Sequence, residues 1–76
     1  MFTMTSKLMG SNDELSRDQY EITIHRDGEQ VGLLECEYEC GSYLSPIYEE
    51  GEVPDISFLN EVNQKNNYSR EWVHSF

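Results

Sequence analysis

The stretch YEITIHRDGEQVGLLECEYEC, residues 20–40, decides the fold. Apolar and polar residues alternate through 20–24, which is typical of a strand that is buried on one face. The Asp-Gly pair at 27–28 follows, and this pair is the strongest short signal for a β-hairpin. Residues 31–39 then form the predicted return strand. The sequence therefore predicts an antiparallel hairpin at the centre of the chain.

Three glutamates at alternate positions of the return strand, Glu35, Glu37 and Glu39, decide its register. With a two-residue Asp-Gly loop they would share the apolar face of Ile22, and a shift of one residue moves them to the other face. A three-residue connection gives this shift, and so does a bulge at Gly32, because glycines inside strands often mark bulges. Burying unpaired carboxylates is too costly, so we predict the offset register. Its apolar face comprises Tyr20, Ile22, Ile24, Leu34, Cys36, Tyr38 and Cys40.

The two cysteines lie four residues apart, and on a strand their Cα atoms would be about 13 Å apart. A disulfide requires less than about 7 Å. We therefore expect free thiols, packed as small apolar residues, in a reducing compartment.

The polar residues 1–18 predict a flexible arm, with one helical turn through Asp13–Arg17 capped by Ser11 or Asn12, or with an edge strand in its first part.

Gly41–Pro54 is rich in glycine and proline and predicts a long loop. Four of its side chains are expected to pack against the core: Tyr43, Leu44, Ile47 and Tyr48.

Asp55–Val62 predicts a third strand, with Ile56 and Phe58 on one face. Residues 68–76 fit a strand or a helix, and the abundance of Tyr, Trp, Val and Phe favours a strand. The fold prediction is a mostly β protein, with a small antiparallel sheet of 3–4 strands built from two hairpins and room for one short helix near a terminus. Residues 19–76 would form this single small β domain.

Acidic residues dominate the charge, with 15 Asp and Glu against 5 Lys and Arg, for a formal net charge of −10. Residues 27–64 contain ten of the acids and no Lys or Arg. Nucleic acid and anionic membranes are poor direct partners for such a chain, because binding them relies on basic residues. A basic protein surface is a favourable partner. No apolar run approaches the ~18 residues of a membrane span, and residues 1–10 make a poor signal peptide, so we expect a cytoplasmic protein of a bacterial cell.

The search for catalytic and metal-binding residues indicates no enzyme and no cofactor. Cys36 and Cys40 with His25 and His74 lack the paired second half of a zinc motif. Nearby carboxylates would raise the pKa of a thiol and weaken it as a nucleophile. The acids of 49–55 could hold calcium weakly, but the EF-hand pattern is absent.

Alternate residues on a strand lie ~6.6 Å apart, which is close to the roughly 6–7 Å between successive phosphates of one nucleic-acid strand. The glutamates would thus form a row of carboxylates that a groove built for phosphates could bind. Apolar anchors should accompany them, because charges at a rim contribute to the association rate more than to affinity. The expected partner-binding residues are Asp27, Glu29, Glu35, Glu37, Glu39, Glu49, Glu50, Glu52 and Asp55. The candidate anchors are Tyr43, Ile47, Tyr48 and Phe58.

In length, acidity and the combination of a sheet with an acidic loop, residues 20–62 resemble the small inhibitors that phages make against host enzymes. That class includes anti-CRISPR, anti-restriction and uracil-DNA glycosylase inhibitor proteins, several of which mimic DNA. The resemblance implies a stoichiometric inhibitor of a nucleic-acid-binding protein. We expect the chain to be a monomer or a small homo-oligomer. Three other readings stay open: an accessory subunit whose acids only solubilise it, a metal-binding domain, and adaptation to high salt.

Overall fold

A computed structural model describes residues 1–12, 14, 17–69 and 71–75. Five strands and one helix lie along these residues. The elements are β1 (Phe2–Asn12), β2 (Arg17–Arg26), β3 (Glu29–Glu39), β4 (Ser42–Gly51), α1 (Ile56–Lys65) and β5 (Trp72–Ser75).

The strands form one antiparallel sheet in the order β4-β3-β2-β1-β5. The first four strands follow one another as a meander, and the chain then crosses the sheet through α1 to place β5 beside β1. The mostly β antiparallel class is thus confirmed. The sheet has five strands where the sequence predicted three or four, because β1 and β4 both lie in segments that read as irregular.

The central hairpin has the predicted offset register, with Tyr20 opposite Cys36. The two-residue turn is kept, and Asp27 adopts a φ of 51°. The offset comes from a bulge, because Ile24 pairs with Gly32 whereas the next residue of β2 pairs with Gln30. Of the two mechanisms considered, the bulge is therefore correct, and the glycine beside it is needed for space as well. A Cβ atom at Gly32 would overlap the carbonyl group of Glu52.

The core lies on one face of the sheet, between the strands and α1. Buried residues alternate along β2 and β3, whereas the intervening side chains are half-buried or exposed. Aromatic rings fill much of the core, with Tyr20, Tyr38 and Tyr43 meeting edge to face at centroid distances of 4.9–5.9 Å. The core consists of Met4, Tyr20, Ile22, Ile24, Leu34, Cys36, Tyr38, Tyr43, Leu59, Val62 and Trp72.

The predicted arm over residues 1–18 is wrong for Phe2–Asn12, which form β1 inside the sheet rather than at its edge. The alternation was hidden because a polar residue, Ser6, occupies a core position and is buried with 2% exposure. Its hydroxyl lies 2.8 Å from that of Tyr43, which satisfies it there. The predicted helical turn through Asp13–Arg17 falls mainly outside the described residues, and Arg17 begins β2.

The predicted loop over Gly41–Pro54 is wrong for Ser42–Gly51, which form the edge strand β4. Pro46 favoured a loop, but an edge strand tolerates proline because one side of its backbone needs no partner. The inward placement is correct for Tyr43, which is 2% exposed, and wrong for Ile47 and Tyr48, which are 55% and 47% exposed. A strand can turn only alternate side chains to the core, and β4 contains two register shifts.

The predicted strand Asp55–Val62 is also wrong, because Ile56–Lys65 form α1. Asp55 begins the helix as its N-cap, with its carboxylate accepting a hydrogen bond from the backbone N–H of Phe58 at 2.9 Å. Leu59 and Val62 lie on the buried side of the helix, three residues apart, and close the core. Ile56 and Phe58 alternate like strand residues, but both are only partly buried.

The strand predicted within residues 68–76 is confirmed by β5, in which Trp72 is buried. The cysteines are free thiols as predicted. Cys36 is in the core, whereas Cys40 is exposed, since it forms the β3–β4 turn with a φ of 53°. No helix within the described ranges is long and apolar enough to cross a membrane.

Candidate protein-binding face

The side of the sheet opposite α1 is covered by no other element among the described residues, and we call it the open face. The strand registers place on it every second residue of the central strands. Among the residues that the registers place on it are Thr3, Thr5, Lys7, Arg17, Gln19, Glu21, Thr23, His25, Leu33, Glu35, Glu37, Glu39, Ser42, Tyr48, Glu50, Val73 and Ser75. Carboxylates are the most frequent charged groups among them.

Three glutamates follow one another along the open face of β3, as the offset register requires. Glu35, Glu37 and Glu39 are all half-buried, and they alternate with the core residues Leu34, Cys36 and Tyr38. Leu33 occupies the next position of the same face, and its partner on β4 is Glu50. A row of four carboxylates therefore runs along β3 and continues onto the edge strand.

Arg17 neutralises part of this row. Its Nε donates to Glu39 at 3.0 Å, and its Nη1 donates to Glu37 at 3.4 Å. The arginine side chain is 35% exposed, and the side chain of Glu37 is 19% exposed. Ion pairs this close to water stabilise a fold by only about 0–1 kcal/mol. Their larger effect is on the charge of the open face, because one cation offsets one of its carboxylates.

Glu35 has a different environment, because no cation lies within ion-pair distance of it among the described residues. Its cross-strand partner on β2 is a like charge, Glu21, and its partner on β4 is Tyr48. Like charges directly opposite each other destabilise a sheet. Lys7 lies opposite Glu21 on its other side and balances that charge in part. Glu35 is thus the carboxylate of the row at which an added cation would relieve most repulsion.

Tyr48 and Glu50 form a pair on the exposed edge strand. The tyrosine hydroxyl donates to the Glu50 carboxylate at 2.7 Å. This hydrogen bond, together with the negative charge of Glu50, raises the pKa of Tyr48 above its usual value. The pair holds an aromatic ring and a carboxylate side by side. Glu49 pairs with Leu34 in the register, which points it away from the open face.

The remaining predicted acids lie outside the row, and three of them make structural contacts. Asp27 accepts a hydrogen bond from the Met1 amine at 2.8 Å, and this bond and the ammonium charge lower its pKa. Glu52 binds Arg26 at 2.7 Å, and Asp55 caps α1. Glu29 is exposed beside the hairpin turn. The structure therefore does not gather all nine acids into one surface.

Of the four predicted anchors, two are accessible on this side of the molecule. Ile47 and Tyr48 are about half exposed, at the edge of the open face. Tyr43 is in the core, where burial raises its pKa to about 12, and it cannot contact a partner. Phe58 lies on the helix side of the sheet, where it lines an apolar cavity of about 290 Å³.

Sequence reasoning missed two residues of this face, Arg17 and Met9. Arg17 was assigned to the flexible arm, although its position two residues before Gln19 carries the strand alternation onward. Met9 is half exposed at a register shift in β1, and it lines a cleft with Gln19, Glu35 and Ile47. Nothing in the local sequence marks a bulge at Met9, whereas the alternation beginning at Tyr20 could have been extended backwards to Arg17.

Metal binding has no support from the geometry, since no group of three potential ligands is close together among the described residues. Burial raises the pKa of Cys36 to about 12, so its thiol stays protonated and is a poor nucleophile at neutral pH. The open face presents half-buried carboxylates with partly exposed apolar side chains beside them. The chain matches no family model, no curated protein and no solved structure.

Proposed function

We propose that the protein is a stoichiometric inhibitor that covers a basic, nucleic-acid-binding surface of a bacterial host protein with its open face. The observation that carries the proposal is the row formed by Glu35, Glu37, Glu39 and Glu50 on a side of the sheet that α1 leaves uncovered. An enzyme of the CRISPR or restriction class is the target that we expect.

Spacing supports this choice of partner. Successive glutamates of β3 are separated by one intervening residue, so their Cα atoms lie ~6.6 Å apart. This matches roughly the distance between successive phosphates of one nucleic-acid strand, and lysine and arginine side chains arranged for phosphates can reach carboxylates at this interval. A field of one sign also speeds the encounter with an oppositely charged surface, which suits an inhibitor.

Apolar side chains beside the row supply what charge alone does not. Leu33 lies at the end of the three glutamates on β3, and Ile47 and Tyr48 are exposed at the adjacent edge. Interfaces obtain most of their affinity from a few such groups, surrounded by polar ones. The open face thus combines anchors with charges that set the orientation of the partner.

The first experiment identifies the target by competition. The immobilised protein captures proteins from a bacterial lysate, and the captured proteins are challenged with duplex DNA and with RNA. We expect a captured protein that binds nucleic acid, that is released by it, and whose nucleic-acid binding is abolished by one equivalent of the inhibitor. A captured partner that nucleic acid does not displace would contradict the proposal.

A matched pair of charge reversals locates the binding face. Glu35→Lys and Glu61→Lys change the net charge equally, but Glu61 lies on α1, on the opposite side of the sheet. Glu35→Lys should weaken target binding at least tenfold, because like charges brought together at an interface cost several kcal/mol. It should not unfold the protein, since the new lysine would face Glu21. Equal losses in the two variants would place the binding site elsewhere.

An accessory subunit that docks through apolar contacts is the second candidate, and the exposure of Ile47 and Val73 favours it. Salt separates the two functions. Binding through the carboxylates should weaken tenfold or more between 50 and 500 mM salt, because the Debye length falls. Docking through apolar contacts should change little over the same range.

A further inference from the structure

Two bulges, one in β1 and one in β4, place apolar side chains on the open face. In β1 the register shifts between Leu8 and Gly10, which leaves Met9 as the extra residue. In β4 the partner of Glu35 is Tyr48 and the partner of the next β3 residue is Pro46, which leaves Ile47 as the extra residue. Bulges re-aim side chains in this way and are often found next to binding sites.

The two bulge residues enclose a cleft of about 250 Å³. Met9 and Ile47 form its walls and are 54% and 55% exposed. Gln19 and Glu35, from the two central strands, line the cleft between them. The cleft therefore has apolar walls, an amide and a carboxylate with no cation at ion-pair distance among the described residues.

We propose that this cleft binds one arginine side chain of the target protein. The inference rests on the proposed function, since it names the partner group that the open face recognises. The methylene stem of the arginine contacts Met9 and Ile47, and the guanidinium donates hydrogen bonds to the carboxylate of Glu35 and the amide oxygen of Gln19. The added positive charge also relieves the repulsion between Glu35 and Glu21, which face each other across the strands.

Arginine fits this cleft better than lysine for two reasons. A guanidinium is less strongly hydrated than an ammonium, so it enters between apolar walls at a lower cost. It also presents several N–H donors in one plane, which suits a carboxylate and an amide oxygen side by side. Residues that bind phosphates in nucleic-acid grooves are commonly arginines, so this group is available on the expected target.

The test uses three small peptides and the whole protein. N-acetyl-Gly-Arg-Gly amide, its lysine counterpart and its citrulline counterpart are titrated while the backbone amide signals are followed by NMR. Citrulline keeps the shape of arginine and removes the charge. We expect the arginine peptide to shift the signals of Gln19, Glu35 and Ile47, the lysine peptide to bind several-fold more weakly, and the citrulline peptide to have no effect.

Three variants control the result. Glu35→Gln should weaken the arginine peptide about fivefold, as the loss of one exposed ion pair requires. Ile47→Ala should weaken it as well, whereas Glu61→Gln on α1 should not. The proposal is overturned if the arginine peptide causes no shifts, if citrulline or lysine binds equally well, or if the shifts lie outside the cleft. Such a result would leave the inhibitor function untouched, because that function is tested separately by the competition between the protein and nucleic acid for the target.

Discussion

The indole Nε1 of Trp72 donates a hydrogen bond to the hydroxyl of Tyr43 at 3.1 Å. These residues belong to β5 and β4, the two edges of the sheet, so their bond joins opposite edges through the core. The same hydroxyl lies 2.8 Å from Ser6 Oγ of β1. One buried oxygen thus connects β4, at one edge of the sheet, with the neighbouring strands β1 and β5 at the other edge.

Tyr43→Phe should lower the free energy of unfolding by about 1–3 kcal/mol, because the buried Trp72 N–H loses its acceptor. Urea unfolding followed by tryptophan fluorescence measures the change. Tyr48→Phe is the matched control, and it should stay within about 0.5 kcal/mol because Tyr48 is exposed. Equal effects of the two substitutions would mean that the buried contacts of the Tyr43 hydroxyl contribute nothing.

Gly32→Ala should prevent stable folding or cost more than about 3 kcal/mol, since the new methyl group would overlap the backbone of Glu52 next to the bulge. Circular dichroism and a thermal melt report the loss. Gly10→Ala serves as the comparison, because a Cβ atom there meets nothing within 4 Å. A stable Gly32→Ala protein would show that the β3–β4 edge can separate without cost.

Cys40→Asn should stabilise the protein by about 0.5–1 kcal/mol. Cys40 and Gly41 form the β3–β4 turn with φ values of 53° and 82°, and Asn-Gly is the pair preferred in such turns. The change in the urea midpoint measures the effect. Cys40→Val at the same site should destabilise, because a β-branched residue tolerates a positive φ poorly.

Stability should fall as the pH rises above 9, because burial raises the pKa of Cys36 from 9.0 to about 12. Between these values the unfolded chain loses the thiol proton while the folded protein keeps it, so the folded state binds more protons. The free energy of unfolding then drops by up to about 1.4 kcal/mol for each pH unit. Cys36→Ala should flatten this dependence between pH 9 and 10 in unfolding titrations, and an unchanged slope would contradict the burial effect.

Asp55→Ala should cost about 1 kcal/mol of stability through loss of the N-cap of α1, whereas Asp55→Asn should cost little. Thermal unfolding of the two variants measures the difference. Because Asp55 caps the helix rather than joining the carboxylate row, we expect Asp55→Asn to leave target binding unchanged. A loss of binding in this variant would show that Asp55 contacts the target.

The central hairpin could be predicted because its alternation and the desolvation cost of its glutamates both depend on residues close in sequence. The burial of Ser6 depends on Tyr43, 37 residues away, so the alternation of β1 was hidden. For α1 a local signal existed, since Asp55 is a good N-cap. Ile56 and Phe58, however, are apolar residues at alternate positions, which is the pattern of a strand. Tertiary packing of Leu59 and Val62 against the sheet decided the outcome.

The candidate site could likewise be predicted only in part from the sequence. The placement of Glu35, Glu37 and Glu39 on one face followed from the register, which the sequence contains. The neutralising contacts of Arg17 require knowing that β2 begins at that residue. The cleft beside Glu35 depends on bulges at Met9 and Ile47, and these arise from pairing between whole strands rather than from any local pattern.

The position of α1 on a single side of the sheet separates two tasks within one small chain. Substitutions beneath the helix should mainly change the stability of the fold, whereas those on the opposite side should, under the proposed function, mainly change binding. Side chains of the open face could therefore change one at a time with little change in the core beneath them. If the proposed function is correct, binding to a new target could be selected in the laboratory by randomising alternate positions of three adjacent strands.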